Sequence, residues 1–252
     1  MKLSVVIITY NEEENIATCL NSITKIADEI VVVDSFSNDE TRNICLTYDR
    51  LTFTENKFVN FGLQKQFAVN LASNNWVLSI DADESLSEEL VDEIQSLKTQ
   101  SEDETAYKAY QIRRKTYYQG KFLNFCGMNS ERHLRLFDKR YGKFSDDKVH
   151  EKVNTDVPCG DLAGFMYHKP YKNLAHHVEK INSYTNLFAQ GKAKKKSGVK
   201  FKVITKCVVR FLTIYFVKLA VLDGYAGFIW AVMGSYYSFL KYAKLYELKE
   251  GF

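Results

Sequence analysis

The sequence predicts an α/β protein built on a mostly parallel central sheet and followed by a C-terminal amphipathic helical region. Three observations carry that expectation. Leu3–Thr9 and Glu29–Asp34 are continuous β-branched runs without polar alternation, as strands covered on both faces are. Segments with apolar residues at helical spacing alternate with these and two further short strands, the pattern of a right-handed parallel unit. The charge then changes sign: residues 191–252 hold 12 Lys/Arg against 3 Asp/Glu, a net of +9, whereas residues 1–190 carry a net of −6.

Taken in order, Leu3–Thr9 is the first strand, and Asn11 is placed to cap a helix carrying Ile16, Leu20 and Ile23, with Glu12–Glu14 in its first turn. Glu29–Asp34 is the second strand. Asp39 follows as an N-cap for a helix over Thr41–Tyr48. Leu51–Thr54 is a third strand, Leu63–Ala72 a helix and Trp76–Ile80 the fourth strand. Tyr107–Arg113 and Arg132–Phe137 alternate well enough to be strands, with Gly127 and Asn129 marking a turn between them.

Ligands of such sheets lie at the carboxyl ends of the strands. Tyr10, Asn11, Glu12, Asp34, Asp39, Asp81 and Asp83 all fall there. A dinucleotide site needs a glycine-rich turn after the first strand, but this chain has Thr9-Tyr10-Asn11-Glu12, and no Walker-type phosphate loop is present either. Phosphate would then be neutralised by a metal and basic side chains. Asp81 and Asp83, one residue apart, suit Mg²⁺ or Mn²⁺, hard cations that bridge carboxylates to substrate phosphates. The competing reading is a solvated loop, with Asp83 or Ser87 capping a helix over Ser87–Thr99.

The segments SVVIITYNEEENI, EIVVVDSFSNDET, GLQKQFAVNLA and WVLSIDADE, in that order, resemble the nucleotide-sugar half of the family 2 glycosyltransferases, which have the GT-A fold. ERHLRLFDK, GKFSDDKVHEKV and the Lys- and aromatic-rich C-terminal region resemble one branch, bacterial glucosyltransferases that extend the inner core of lipopolysaccharide. The resemblance implies a UDP-sugar donor, with Thr9, Tyr10, Asn11 and Glu12 lining the nucleoside pocket and Asp34 accepting from the uracil N3–H. Asp39 would sit near base and ribose, with helix capping as its rival role. Lys65 would approach the diphosphate or sugar, against a solvated helix position. Asp81 would hold ribose or metal, Asp83 the metal, and His168 is a further candidate metal ligand. Arg135 is a candidate phosphate contact, against an exposed strand arginine.

An inverting transfer needs a base to take the acceptor hydroxyl proton. The family's Glu-Asp pair is replaced here by His150-Glu151, so Glu151 is the expected base and Asp147 the second candidate. His150 has three readings: orienting Glu151, binding phosphate or filling a pocket.

On this reading residues 1–190 form the catalytic domain, 1–100 for the nucleotide sugar and 101–190 for the acceptor, and residues 191–252 are a basic region at a membrane interface. Cys207–Leu222 and Phe228–Tyr246 do not supply the ~20 uninterrupted apolar residues of a spanning helix. Lysines beside Trp230, Tyr236, Tyr237, Phe239 and Tyr242 instead suit an anionic membrane surface, against the alternative that these aromatics pack on the catalytic domain. The partners expected are a nucleotide-sugar donor and a lipid-linked saccharide acceptor, with no nucleic-acid motif. Five scattered cysteines and the absence of a secretion leader suit the cytoplasm, at the inner face of a bacterial membrane. Two rivals stand beside this reading: a family 2 enzyme acting on polyprenyl phosphate, and a non-catalytic membrane-bound nucleotide-sugar binding protein.

Overall fold

A computed structural model describes residues 1–102, 104–128, 131–145, 151–192 and 199–250. The chain forms two compact units, Met1–Arg114 with Glu131–His168, and Lys115–Ser130 with Lys169–Phe252. The first compact unit ends at His168, and the segment 115–130 belongs to the second.

In the first unit β1 (Leu3–Thr9), β2 (Glu29–Asp34), β3 (Leu51–Glu55) and β4 (Trp76–Asp81) are parallel, in spatial order β3-β2-β1-β4. Their register pairs Thr9 with Asp34 and Ile8 with Asp81, so three expected site residues reach one edge together. The order continues through antiparallel β8 (Arg132–Asp138), β6 (Ala109–Tyr118), β11 (Cys159–His168) and β5 (Glu84–Leu86). β5 closes the far end of that order yet begins three residues after β4 ends. The sheet therefore curls, and the Asp81 N–H donates to Glu84 Oε2 at 3.0 Å.

Both faces of the sheet are covered, which is why its strands read as unbroken apolar runs. α1 (Ile16–Ile23) and α4 (Glu88–Lys98) bury Ile16, Leu20, Leu90 and Ile94 with Leu3, Ile7, Trp76 and Leu78. On the opposite face α3 (Phe61–Leu71) packs Ala68 and Val69 with Val6, Val31, Val77 and Phe137. Each fully buried Leu or Ile contributes about 1.5–3 kcal/mol to this assembly. A short ribbon of β9 (Gly142–Phe144) and β10 (Val153–Thr155) adds Phe144 and Val153 to the same cluster.

Several helix boundaries differ from expectation. α1 begins at Ile16, with no acidic residue in its first turn, because Asn11 adopts a left-handed conformation (φ 54°) and turns its side chain away to accept from the Asn38 N–H. α2 (Thr41–Cys45) is shorter than read. Ser87, not Asp83, caps α4, its hydroxyl accepting from the Leu90 N–H.

The second unit opens with the end of β6 turning through Gln119-Gly120, both at positive φ as a tight hairpin turn requires, into β7 (Lys121–Phe122). It continues with α5 (Leu174–Lys192), α6 (Val199–Leu212) and α7 (Gly224–Glu250). A π-helical turn over Thr213–Val217 and a 3-10 turn over Ala220–Asp223 separate the last two helices. Among the described residues no helix is long and apolar enough to cross a membrane.

Candidate active site

The loops leaving β1 and β2 are stitched together. Asp34 is buried and accepts from the Ser37 N–H (2.7 Å) and Ser37 Oγ (2.5 Å). Ser37 Oγ in turn accepts from the Asn11 N–H, Thr41 Oγ1 from the Glu12 N–H, and Asp39 from the N–H groups of Glu13 and Thr41. Asp39 thus ties two loops while Glu40 occupies the cap of α2. Tyr10 is exposed at this edge, and the buried Thr9 Oγ1 has no hydrogen-bond partner among the described residues.

The next contribution comes from the start of α3. Asn60 caps it by accepting from the Leu63 N–H at 2.8 Å. Successive helix residues point ~100° apart, so Gln64, Lys65 and Gln66 reach in three directions. Gln64 Nε2 donates to Ser35 Oγ at 3.1 Å, and Gln66 Oε1 accepts the Phe144 N–H at 2.8 Å. Lys65 Nζ lies 2.8 Å from Asp81 Oδ1 and 2.9 Å from Glu151 Oε1. Gly62 lets the helix approach the ribbon, since a Cβ there would stand 2.1 Å from the Ser145 carbonyl oxygen. Lys65 is therefore not a solvated helix residue; it is almost wholly buried between two carboxylates.

From Glu151 the charges alternate along one chain. Lys65 joins Glu151 to Asp81, and Arg135 joins Asp81 (3.0 Å) to Glu84 (3.4 Å). Arg114 then joins Glu84 (3.7 Å) to Glu131 (3.2 Å). Arg135, read as an exposed strand arginine or a phosphate contact, is buried, and its NH2 is held by two carboxylates because β8 lies beside β4. Burial alone would raise the Asp81 carboxyl, but Lys65 and Arg135 hold it well below the usual carboxylate range. Burial would lower the Arg135 guanidinium; Glu84 and Asp81 keep it charged. Glu84 and Arg114 were not singled out from the sequence. The signal for Glu84 was its place beside the two aspartates.

Asp81 and Asp83 are given to different partners, because the extended backbone stops at Asp81 and Ala82-Asp83 form a turn. Asp83 Oδ2 faces His168 Nε2 at 3.5 Å, and the other ring nitrogen of His168 is buried without a hydrogen-bond partner among the described residues. A carboxylate and an imidazole so placed fit a divalent ion that takes its remaining ligands from substrate phosphate. Among the described residues, no three His, Cys, Asp or Glu side chains gather as a complete protein-made metal site. Asp147 and His150 lie outside the described residues.

A curled sheet whose four-stranded parallel half carries carboxylates at its strand ends is the GT-A architecture of glycosyltransferases. Its likeness extends to two solved structures. A mannosyltransferase of Pyrobaculum calidifontis in complex with GDP-Man and Mn²⁺ aligns with a TM-score of 0.51 at 16% identity, over 97% of this chain and 87% of that one. S. aureus TarS 1–349 in complex with UDP-GlcNAc gives 0.50 at 18%, over 100% and 91%. Residues 4–168 match glycosyl transferase family 2, and the chain belongs to that family. Over 98% of its length it is 35% identical to an uncharacterized glycosyltransferase of Rickettsia typhi, covering 87% of that protein. It is 30% identical, again over 98%, to a lipopolysaccharide core biosynthesis glycosyltransferase of Rhizobium meliloti, covering 93%.

Proposed function

We propose that the protein is a metal-dependent inverting glycosyltransferase that moves a hexose, glucose as the first candidate, from a UDP-sugar to a lipid-linked saccharide of the lipopolysaccharide inner core. The observation that carries the reading is the linkage of Glu151 through Lys65 to Asp81 at the carboxyl end of β4. Glu151 takes the proton of the acceptor hydroxyl as its oxygen bonds to the anomeric carbon, and the bond from that carbon to the diphosphate breaks with its electron pair. Lys65 is within reach of the same region and offers its charge to the diphosphate. Asp34 and the Tyr10–Glu12 loop receive the nucleoside.

The ion-paired chain contains four carboxylates against three cations, so a diphosphate meets net negative charge. Asp83 and His168 would hold Mg²⁺ or Mn²⁺ there, and the ion would supply neutralisation of the diphosphate. The lipopolysaccharide acceptor is supported by the Rhizobium relative's name. A peripheral place on the inner face of the cytoplasmic membrane is supported by the net +9 of residues 191–252.

The test is isothermal titration of UDP with Mn²⁺, on wild type and on Asp83→Ala, followed by turnover of Glu151→Gln. Binding that collapses in the first variant and transfer that collapses in the second uphold the proposal. Glu151 is already engaged by Lys65, which favours one alternative: a polyprenyl phosphate acceptor, itself anionic, would need no base. Full activity of Glu151→Gln would select it. UDP binding with no turnover by any form would select a non-catalytic binding protein, and preference for GDP over UDP would change the donor.

A further inference from the structure

The turn between α6 and α7 has two unlike sides. One is fastened to the 121–126 segment. Asp223 is buried, and its two carboxylate oxygens accept the N–H groups of Asn124 (3.0 Å) and Phe125 (2.9 Å). The Asp223 carbonyl accepts from Lys121 Nζ at 3.1 Å, and the Lys218 carbonyl from the Cys126 N–H at 2.9 Å. Ile214 and Ala220 pack with Leu123 and Cys126 beneath it. The turn is therefore fixed in shape, even though Leu219 sits in the left-handed region (φ 57°), which costs a branched side chain about 1–2 kcal/mol.

The other side is bare. Phe216, Val217, Leu219, Val221, Leu222 and Tyr225 are all exposed, Val217 and Tyr225 by more than three quarters. Ile204, Val208 and Leu212, spaced four residues apart on α6, continue the apolar surface as one stripe leading into the turn. A rigid apolar turn of this kind in contact with water marks a docking surface.

Charge decides what docks. The 191–252 sequence, which contains the turn, has a net charge of +9, so a second copy would bring like charge against like, whereas anionic headgroups would be drawn to it. Tyr225 and Phe216 also suit the interfacial layer, where aromatic side chains concentrate. We propose that the turn over residues 213–225 is a preformed wedge whose apolar side enters the acyl layer of an anionic bilayer, held in shape by Asp223, while the net positive charge of the 191–252 sequence draws the protein to the headgroups. This rests on the membrane-surface reading and goes further, because it assigns lasting attachment to apolar insertion and only the approach to charge.

The test is co-sedimentation of the full chain with vesicles of phosphatidylcholine and phosphatidylglycerol at about 0.1 and 0.5 M salt, conditions that separate screened from unscreened attraction. Wild type is compared with Val217→Asp/Leu222→Asp, two exposed positions whose replacement is expected to leave the unfolding midpoint unchanged, which a denaturant titration checks. Wild type that stays on vesicles at the higher salt, with the double variant weakened at least about tenfold at both salts, upholds the wedge. Wild type released by salt, with the variant indistinguishable from it, overturns the wedge and leaves the lysine attraction standing. Wild type that binds neither condition overturns the membrane reading and the wedge together. Self-association abolished by the double variant, without vesicle binding, would give the surface to a second copy.

Discussion

Lys65 Nζ lies 2.9 Å from Glu151 Oε1 across 86 residues of sequence, joining the first turns of α3 to the residues that lead into β10. The same ammonium also touches Asp81, so the expected base and the carboxylate at the end of β4 share one cation.

Removing that cation leaves two carboxylates of the cluster without it. Lys65→Met is expected to lower unfolding free energy by about 3 kcal/mol, the scale of breaking a buried pair from one side. Adding Glu151→Gln should recover about 1 kcal/mol or more of that loss, since one of the orphaned charges is then gone. Urea titration of the two single variants and the double variant measures this; strictly additive losses would refute the coupling.

Gly62→Ala tests how Glu151 is positioned. The new Cβ would stand 2.1 Å from the Ser145 carbonyl oxygen, so the ribbon must shift, at a cost of about 1–3 kcal/mol. If Glu151 is the base, as proposed, transfer should fall at least about tenfold in kcat with the donor KM little changed. An unchanged kcat would mean that the position of Glu151 is not critical.

Asp223→Ala leaves the Asn124 and Phe125 amides without their acceptors, an expected loss of about 1–3 kcal/mol for two partly buried donors. Burial, reinforced by the Asp223 carboxylate, pushes the Cys126 thiol up to about 12, and the side chain is inaccessible. Thiol titration of the native protein at mildly alkaline pH should therefore gain one reactive cysteine in this variant.

His177 is stacked on Tyr171 and bonded through Nδ1 to the Tyr118 hydroxyl, 2.9 Å away. Burial first, then the charges of Lys180 and His176, lower it to about 4. The unfolded chain takes up this proton near the ordinary value of about 6.5, so between these values the unfolded state binds more protons. The contribution is intact above the upper value and is lost as pH falls towards the lower one, by at most about 3 kcal/mol. Denaturant titrations across that window should show the decline, and His177→Phe should flatten it.

β1 and β2 were legible to the residue because a strand covered on both faces leaves an unbroken apolar run. The convergence of Thr9, Asp34 and Asp81 at one edge followed from strand polarity alone. Arg135 was not legible: its burial depends on β8 lying beside β4, a pairing that local periodicity does not encode. Glu84 was hidden for the same reason, since its partners Arg114 and Arg135 come from β6 and β8. Asn11 misled because a capping residue and a left-handed turn residue have the same chemistry, and the partner that decides between them, Asn38, lies 27 residues away.

The alternating run from Glu151 to Glu131 also bears on how this sequence can drift. Any one interior change strands a neighbour of fixed sign, while a matched pair of changes keeps the alternation intact. Lys65 and Glu151, or Arg114 and Glu131, should therefore vary together among descendants of this chain, leaving a record of the site as covariation rather than as invariance at single positions.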